Sequence, residues 1–216
     1  SGNVTVASPL AGAGGLTRSG TGTLTLTGAN AFTGITSITG GTLRLSDEAS
    51  LGTAPAAFTA GQLTLDGAVA TLTAAASFAI DDATRGVTLG SGGGSFGADA
   101  TMTLTIGSNI SGSGALTKVG SGTVVLAGAN AYTGLTTVNA GTLELARLGG
   151  NAIAGDGIAG TNDLQVNTGG TLRLGADDQI ADNGTVFLNG GNWNLNGRSE
   201  TIRNLNAIVA STAPAL

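Results

Sequence analysis

Cysteine and histidine are absent from this 216-residue chain, and only 10% of its residues are charged. Without those two residue types the chain has no disulfide framework, no thiolate or imidazole metal site, and no Ser-His-Asp or Cys-His catalysis. Aromatic residues make up 3% of the sequence, and proline occurs three times. No apolar run approaches the ~20 residues of a membrane-spanning helix. These absences exclude most familiar kinds of enzyme site.

Positive charge is also sparse, since the eight lysine and arginine residues stand singly in a chain of net charge −5. Nucleic-acid binding needs clustered basic residues, so we expect no nucleic-acid partner. The chain begins with serine and shows no basic-then-apolar leader. We therefore expect a mature or excised piece of a longer protein.

Glycine, by contrast, is abundant, with 39 residues, and the 41% hydrophobic fraction argues against disorder. Short segments alternate apolar and polar residues between glycines, as in "GTLTLTG", where Leu24 and Leu26 share one side. "GTLRL", "GTVVL" and "GTLEL" repeat the pattern further along. Alternation over four to six residues, bounded by turn residues, predicts half-buried β-strands.

One stretch of the chain is written twice, because residues 12–46 recur without a gap at 112–146. The two copies share a motif of small, β-branched and amide residues, with an aromatic residue near the middle. We take as its candidate structural residues Gly22, Thr23, Leu24, Leu26, Gly28, Asn30, Phe32, Thr33, Gly34, Gly41, Thr42 and Leu43, then Gly122, Thr123, Val124, Leu126, Gly128, Asn130, Tyr132, Thr133, Gly134, Gly141, Thr142 and Leu143.

The spacing of the strands predicts an all-β solenoid, a parallel β-helix. Successive core-facing residues, such as Leu24, Leu43 and Leu63, lie near twenty residues apart. Each turn would carry two or three strands, with apolar columns inside, threonine outside and Gly or Asn at corners of positive φ. Cohesion would come from stacking of neighbouring turns, without a need for charges.

A β-sandwich is the competing all-β fold. It requires antiparallel hairpins closed by two-residue Asn-Gly or Asp-Gly turns. Such dipeptides occur at Asp66-Gly67, Asn183-Gly184, Asn189-Gly190 and Asn196-Gly197.

The segments "SGTGTLTLTGANAFTGITSITGGTLRL" and "GSGTVVLAGANAYTGLTTVNAGTLEL" resemble the passenger-associated repeat of bacterial autotransporters. The resemblance implies that residues 1–216 form a single right-handed parallel β-helix segment of a secreted passenger, with roughly 9–10 rungs. It further implies display at the cell surface or secretion through the periplasm and outer membrane. The implied partners are a C-terminal outer-membrane β-barrel and neighbouring rungs of the parent chain, and the repeats would promote export and folding.

Carboxylates are the remaining residues that could carry chemistry. The densest clusters are Asp81-Asp82 and Asp177-Asp178 followed by Asp182. They could form an acid/base pair of a polysaccharide lyase or hydrolase, or an oxygen-ligand Ca²⁺ site. We interpret them as solvated corner residues, with Arg85 as an ion-pair partner of Asp81-Asp82 across a turn.

The remaining motif-like features favour structural roles. Asn30 and Asn130 suit a left-handed corner or a stacked amide ladder, and we place Phe32 and Tyr132 in core or corner packing. The glycine-rich stretch "GSGGGSFGAD" (90–99) lacks the lysine of a phosphate-binding loop, so we predict a flexible turn.

The sequence thus predicts a non-catalytic structural segment that supports export of its passenger, with no metal and no cofactor. The alternative is an adhesin whose rows of threonine form a carbohydrate-binding face, with glycan or host-cell contacts. An ice-binding face is less suited, because Thr-x-Thr does not recur at a short fixed period.

Overall fold

Strand pairing is parallel in every ladder of the computed structural model, which describes residues 2–154 and 163–208. The chain winds into a β-solenoid of about nine turns. The prediction of an all-β parallel solenoid is therefore confirmed. A β-sandwich is wrong, because no named strands in the described ranges form an antiparallel pair. No helix in those ranges is long or apolar enough to cross a membrane.

The strands are short, and one 3-10 helix, Glu48–Leu51, interrupts them. In chain order the first strands are β1 (Val4–Val6), β2 (Ala11–Gly12), β3 (Leu16–Arg18), β4 (Thr23–Leu26), β5 (Ala31–Phe32), β6 (Thr36–Ile38), β7 (Thr42–Leu45) and β8 (Thr59–Leu65). The middle strands are β9 (Thr71–Ala74), β10 (Phe78–Ile80), β11 (Arg85–Leu89), β12 (Gly94–Ala98), β13 (Thr103–Ile106), β14 (Ile110–Gly112), β15 (Leu116–Val119) and β16 (Thr123–Leu126). The last are β17 (Thr136–Val138), β18 (Gly141–Leu145), β19 (Leu164–Asn167), β20 (Gly170–Leu174), β21 (Thr185–Asn189), β22 (Asn192–Asn194) and β23 (Asn204–Ile208).

Three long sheets form the faces of the solenoid. The ten-stranded sheet has the order β1-β4-β7-β9-β12-β15-β17-β19-β21-β23 and runs the whole described length. The six-stranded sheet β10-β13-β16-β18-β20-β22 occupies the later turns, and the five-stranded sheet β3-β6-β8-β11-β14 the earlier ones. A two-stranded sheet pairs β2 with β5.

The two copies of the repeated stretch lie on different faces. Strand β3 belongs to the five-stranded sheet, whereas its sequence counterpart β15 belongs to the ten-stranded sheet. Likewise β4 lies in the ten-stranded sheet and its counterpart β16 in the six-stranded sheet. Successive turns along the five-stranded face use 20, 27, 24 and 23 residues. Four such turns lead from Leu16 to Ile110 on the same face, and the strand on the next face begins at Leu116. The 100-residue interval between the copies is therefore four turns plus one face.

The core consists of columns of inward-facing side chains, one residue from each turn. On the six-stranded sheet Leu104, Val124, Leu143 and Leu172 stack in register, and all four are buried. Each strand places alternate residues in such a column because side chains alternate across the pleat. The period-two pattern thus identified the inward positions correctly.

The glycine-rich stretch 90–99 differs from its predicted flexible turn. Residues Gly94–Ala98 form β12, and all five are buried in the ten-stranded sheet. Phe96 is fully buried in an interior column, between Leu72 and Lys118 of the adjacent turns. A Cβ at Gly94 would overlap the side chain of Leu65. These glycines serve close packing around a large side chain, so the prediction of a flexible turn was wrong for 94–98.

Glycine supplies most of the corners of positive φ, as at Gly20 and Gly120, where φ is 73° in both. Only at Asn196-Gly197 do both residues of an Asn-Gly pair adopt positive φ, 54° and 74°, within the described residues. The Arg198 N–H closes this turn onto the Leu195 carbonyl at 2.9 Å. The turn follows β22 and joins no hairpin, since β23 pairs with β21 in parallel.

The two-turn repeat as candidate functional site

Each copy of the repeated stretch builds two stacked turns from its own residues. In the first copy β3 pairs with β6, and β4 pairs with β7. In the second, β15 pairs with β17 and β16 pairs with β18. The first half of each repeated stretch therefore lies directly against its own second half. About thirty residues thus form a unit of two stacked turns.

The repeated asparagine ties three turns together through both ends of its amide. Asn130 Oδ1 accepts from the Ile110 N–H at 3.1 Å, and Nδ2 donates to the Ala152 carbonyl at 3.0 Å. Asn30 makes the equivalent bonds to the Leu10 N–H and the Ser50 carbonyl, at 2.8 and 2.7 Å. Neither residue has positive φ. The prediction of a left-handed conformation for these two asparagines is therefore wrong. Their hydrogen-bond partners are backbone groups of adjacent turns.

The repeated aromatic position is buried in both copies, with Phe32 4% and Tyr132 5% exposed. The Tyr132 hydroxyl lies 2.7 Å from Thr136 Oγ1, and both atoms are buried. Burial raises the pKa of Tyr132, so the phenol stays neutral at physiological pH. The corresponding Thr36 Oγ1, opposite a phenylalanine, is buried without a hydrogen-bond partner.

We expect that replacing the tyrosine of one copy by phenylalanine, and the phenylalanine of the other by tyrosine, changes the free energy of unfolding in opposite directions. Tyr132→Phe should lower the free energy of unfolding by about 1 kcal/mol, because Thr136 loses its phenolic partner. Phe32→Tyr should raise it by up to about 1 kcal/mol, because Thr36 acquires one. Denaturant unfolding of the purified chain measures both changes. Shifts of the same sign in the two variants would contradict this pairing.

The third residue of each copy's first strand is a buried cation. Arg18 is 7% exposed and Lys118 1% exposed. Lys118 Nζ donates to the carbonyls of Val119, Gly120 and Ala140 at 2.8, 2.7 and 2.9 Å. Burial lowers the pKa of Lys118 to about 8, which leaves the ammonium largely protonated at pH 7.

Close backbone approach explains the glycine of the "TG" dipeptide in both copies. A Cβ at Gly34 would lie 2.5 Å from the Gly15 nitrogen and 2.6 Å from the Gly14 carbonyl carbon. A Cβ at Gly134 would likewise overlap the backbone of Gly114 and Ala115. Neither glycine has positive φ, so it is the space between turns that requires glycine here.

Comparison with known proteins identifies this unit. The model of the passenger-associated-transport-repeat family matches residues 16–45 and 116–145. The chain carries two passenger-associated transport repeats. Both matched segments fall inside the duplicated stretches 12–46 and 112–146.

A curated relative agrees with this assignment. The chain is 40% identical over 134 residues to the protein named Adhesin BmaC autotransporter of Brucella suis biovar 1 (strain 1330). The alignment covers 58% of this chain but only 4% of the relative. No solved structure matches the chain. The two matched segments are thus similar to repeats of autotransporter passengers, and the chain spans a small part of the relative's length.

The other motif residues of the transport repeats lie in the core, on the outer faces or at corners. Leu26, Leu43, Val124, Leu126 and Leu143 are buried, and Leu24 is half-buried. Thr33 and Thr133 are exposed at corners, and Gly41 and Gly141 have φ of 65° and 62°. A Cβ at Gly28 would lie 3.0 Å from the Ala7 carbonyl oxygen, and one at Gly128 would overlap that of Ser108.

Residues with hydroxyl groups lie in register on two sheets, both in the transport repeats and in the turns outside them. On the ten-stranded sheet the outward row is Thr23, Thr42, Thr71, Thr117 and Thr137, interrupted between Thr71 and Thr117 by Ser95, which is buried. On the six-stranded sheet it is Thr103, Thr123, Thr142 and Thr171. Neighbouring members of a row are separated by the inter-strand spacing of ~4.8 Å.

The acidic clusters lie outside the transport repeats. Asp82 accepts from the Thr84 N–H and hydroxyl at 2.9 and 2.6 Å, which lowers its pKa. Asp177 accepts from the Ser199 N–H at 3.0 Å, and the side chains of Asp178 and Asp182 are exposed. No three acidic side chains of the described residues form a group that could hold a metal ion.

The two clusters follow β10 and β20, which are four strand positions apart in the six-stranded sheet. That separation is ~19 Å at ~4.8 Å per strand. Paired carboxylates of glycosidases lie about 5–9.5 Å apart. Asp81-Asp82 and Asp177-Asp178 therefore cannot act as one acid/base pair.

Arg85 has a different partner from the one expected. Its Nε donates to Glu48 Oε1 at 3.2 Å, and Nη1 and Nη2 donate to the carbonyls of Leu51 and Gly52 at 3.2 and 2.9 Å. The predicted ion pair of Arg85 with Asp81-Asp82 is therefore wrong. Arg85 pairs with Glu48 instead, because the 3-10 helix Glu48–Leu51 places Glu48 beside the buried guanidinium. Burial raises the pKa of Glu48 despite the nearby guanidinium.

Sequence reasoning missed the buried cations of the transport repeats. Arg18 and Lys118 of the repeats, and Arg85 in the segment between them, bond backbone carbonyls inside the solenoid. A signal was present. In "LTR" and "LTK" the alternation places residues 18 and 118 on the same inward side as Leu16 and Leu116.

Proposed function

We propose that this chain is a non-catalytic structural segment of an autotransporter passenger whose repeats support export across the outer membrane. One observation carries the proposal: each repeat pairs its own first strands with its own last strands. Contacts this local form early, because little chain entropy is lost in closing them. A segment of about thirty residues can then fold as soon as it emerges from the membrane.

Folding outside the cell would oppose backward sliding of the chain, because a folded pair of turns is wider than an extended strand. The Lys118–Ala140 bond joins the two turns within the repeat, and the bonds of Asn130 to Ile110 and Ala152 attach the repeat to residues before and after it. The proposal places the segment at the bacterial surface or in the secreted passenger. Its partners are a C-terminal outer-membrane barrel and the neighbouring turns of the parent chain.

Deletion of one turn tests this role in the parent protein. Removing residues 116–135 brings Thr136 into the place of Leu116, since the two are partners in register. We expect the amount of passenger on intact cells to fall several-fold, measured by protease shaving and antibody labelling. The deletion removes Lys118, Asn130 and Tyr132 together.

The matched control removes residues 87–109, a whole turn outside the repeats, and brings Ile110 into the place of Val87. This deletion should reduce surface passenger much less. Equal surface levels in the two deletion strains, or an undiminished level without 116–135, would refute a specific export role.

Adhesion is the second candidate function, favoured by the in-register hydroxyl rows and by the adhesin name of the relative. Rows of hydroxyls on a flat face could hydrogen-bond a glycan. The same two strains separate the candidates when their attachment to host cells is measured per exported molecule. Lower attachment with normal surface levels would favour adhesion over export support.

A further inference from the structure

The buried cations of the two repeats have no acidic partner among the described residues. None of the ion pairs formed within residues 2–154 and 163–208 includes Arg18 or Lys118. Lys118 lies in an interior column, with Phe96 before it and Val138 after it. A buried charge in such a column is costly unless polar groups solvate it.

Backbone carbonyl groups supply that solvation in both copies. Lys118 Nζ meets three of them, at 2.7 to 2.9 Å. The guanidinium of Arg18 donates to the carbonyls of Thr21, Gly22 and Thr42 at 2.7, 2.6 and 3.3 Å, and also to that of Ser19. An ammonium has three N–H donors, so the three carbonyls satisfy Lys118 fully.

The acceptors come from two successive turns. Val119 and Gly120 follow the cation along the chain, whereas Ala140 belongs to the next turn. In the first copy Thr21 and Gly22 follow the cation, and Thr42 belongs to the next turn. The site is therefore complete only when the second turn of the repeat has stacked on the first.

Glycines of positive φ shape this corner. Gly120 and Gly141 have φ of 73° and 62°, and Gly20 and Gly41 match them at 73° and 65°. A Cβ at Gly141 would lie 2.5 Å from the carbonyl oxygens of both Gly120 and Gly122. Side chains are thus kept out of the space in which carbonyl oxygens converge.

We propose that this corner of each repeat is a cation-binding site made of backbone carbonyls, occupied by the repeat's own side chain. Its ligand class is a small primary ammonium or guanidinium ion. The bound cation joins the two turns of the repeat. An external ammonium ion can take its place when the side chain is shortened. This property belongs to the isolated chain and does not depend on a role in export.

Substitution at Lys118, followed by thermal unfolding of the purified chain, tests the site. Lys118→Arg should unfold close to the wild-type temperature, because arginine fills the equivalent site at position 18. Lys118→Met, similar in length but without donors, should unfold several degrees lower. Lys118→Ala should also unfold lower, and 0.1–0.5 M methylammonium should raise its unfolding temperature by about 2–4 °C relative to tetramethylammonium at equal concentration.

Two controls distinguish a bound cation from a salt effect. Arg44→Ala removes a half-exposed cation paired with Asp99 and should show no preference for methylammonium. If Lys118→Ala does not fold, Arg18→Ala in the first repeat undergoes the same rescue measurement with methylguanidinium. A Lys118→Met chain as stable as wild type, or equal effects of methylammonium and tetramethylammonium on the shortened variant, would overturn the proposal.

Discussion

Gly114→Ala is expected to destabilise the chain by about 3 kcal/mol, while Gly14→Ala, at the same position of the other copy, is expected to be harmless. A Cβ at Gly114 would lie 2.8 Å from Gly93 Cα and 2.9 Å from Gly93 N, and would overlap the Gly90 carbonyl. Backbone cannot rotate aside as a side chain can, so the adjacent turns must separate. Gly14, by contrast, precedes the edge strand β3 of the five-stranded sheet, and there an added methyl group would have no other atom within 4 Å.

Neither glycine has positive φ, so backbone conformation does not distinguish the two. Gly14→Ala should even stabilise slightly, by up to about 1 kcal/mol, because alanine restricts the unfolded chain. Thermal and denaturant unfolding of the two variants measures the difference. Similar stabilities would show that the turns around Gly114 do not pack as closely as the structure shows.

Asn130→Ala is expected to cost about 2–4 kcal/mol, because it leaves two buried backbone groups without partners. The Ile110 N–H loses an acceptor and the Ala152 carbonyl loses a donor. Asn130→Asp should cost at least as much. A carboxylate still accepts from Ile110 but cannot donate to Ala152, and its charge is buried.

The matched control is Asn109→Ala, which removes one exposed hydrogen bond, from the Ala129 N–H to Asn109 Oδ1 at 2.9 Å. Water can replace that bond, so we expect a cost of about 1 kcal/mol or less. Unfolding in denaturant gives both values. Equal costs at positions 109 and 130 would contradict the bridging role of Asn130.

The candidate site could be predicted only in part. The duplication and its alternating strands marked the repeat, and the inward leucines followed from the period of two. The partners of individual side chains could not be read in this way. Asn130 bonds residues 20 before and 22 after it, and Arg85 bonds residues more than 30 positions away. Such contacts depend on which turns become neighbours.

The sequence by itself determined that the chain is all-β, because its alternating apolar residues bounded by glycine favour short strands joined by tight corners, whereas the parallel pairing in the structure excluded a sandwich. It also determined the repeat boundaries and the inward side of each strand. The tertiary structure decided which face each repeat occupies. Turns of 20, 27, 24 and 23 residues move the second repeat one face around the solenoid.

The alternation places Arg18 and Lys118 on the inward side of their strands, but only the tertiary structure supplies the groups that solvate their charges there. A cation can be placed inside only when carbonyls from two turns converge on it, and that convergence exists only in the stacked chain. Local pattern specifies the side of a strand from which a residue projects. Stacking specifies the groups that the residue then meets.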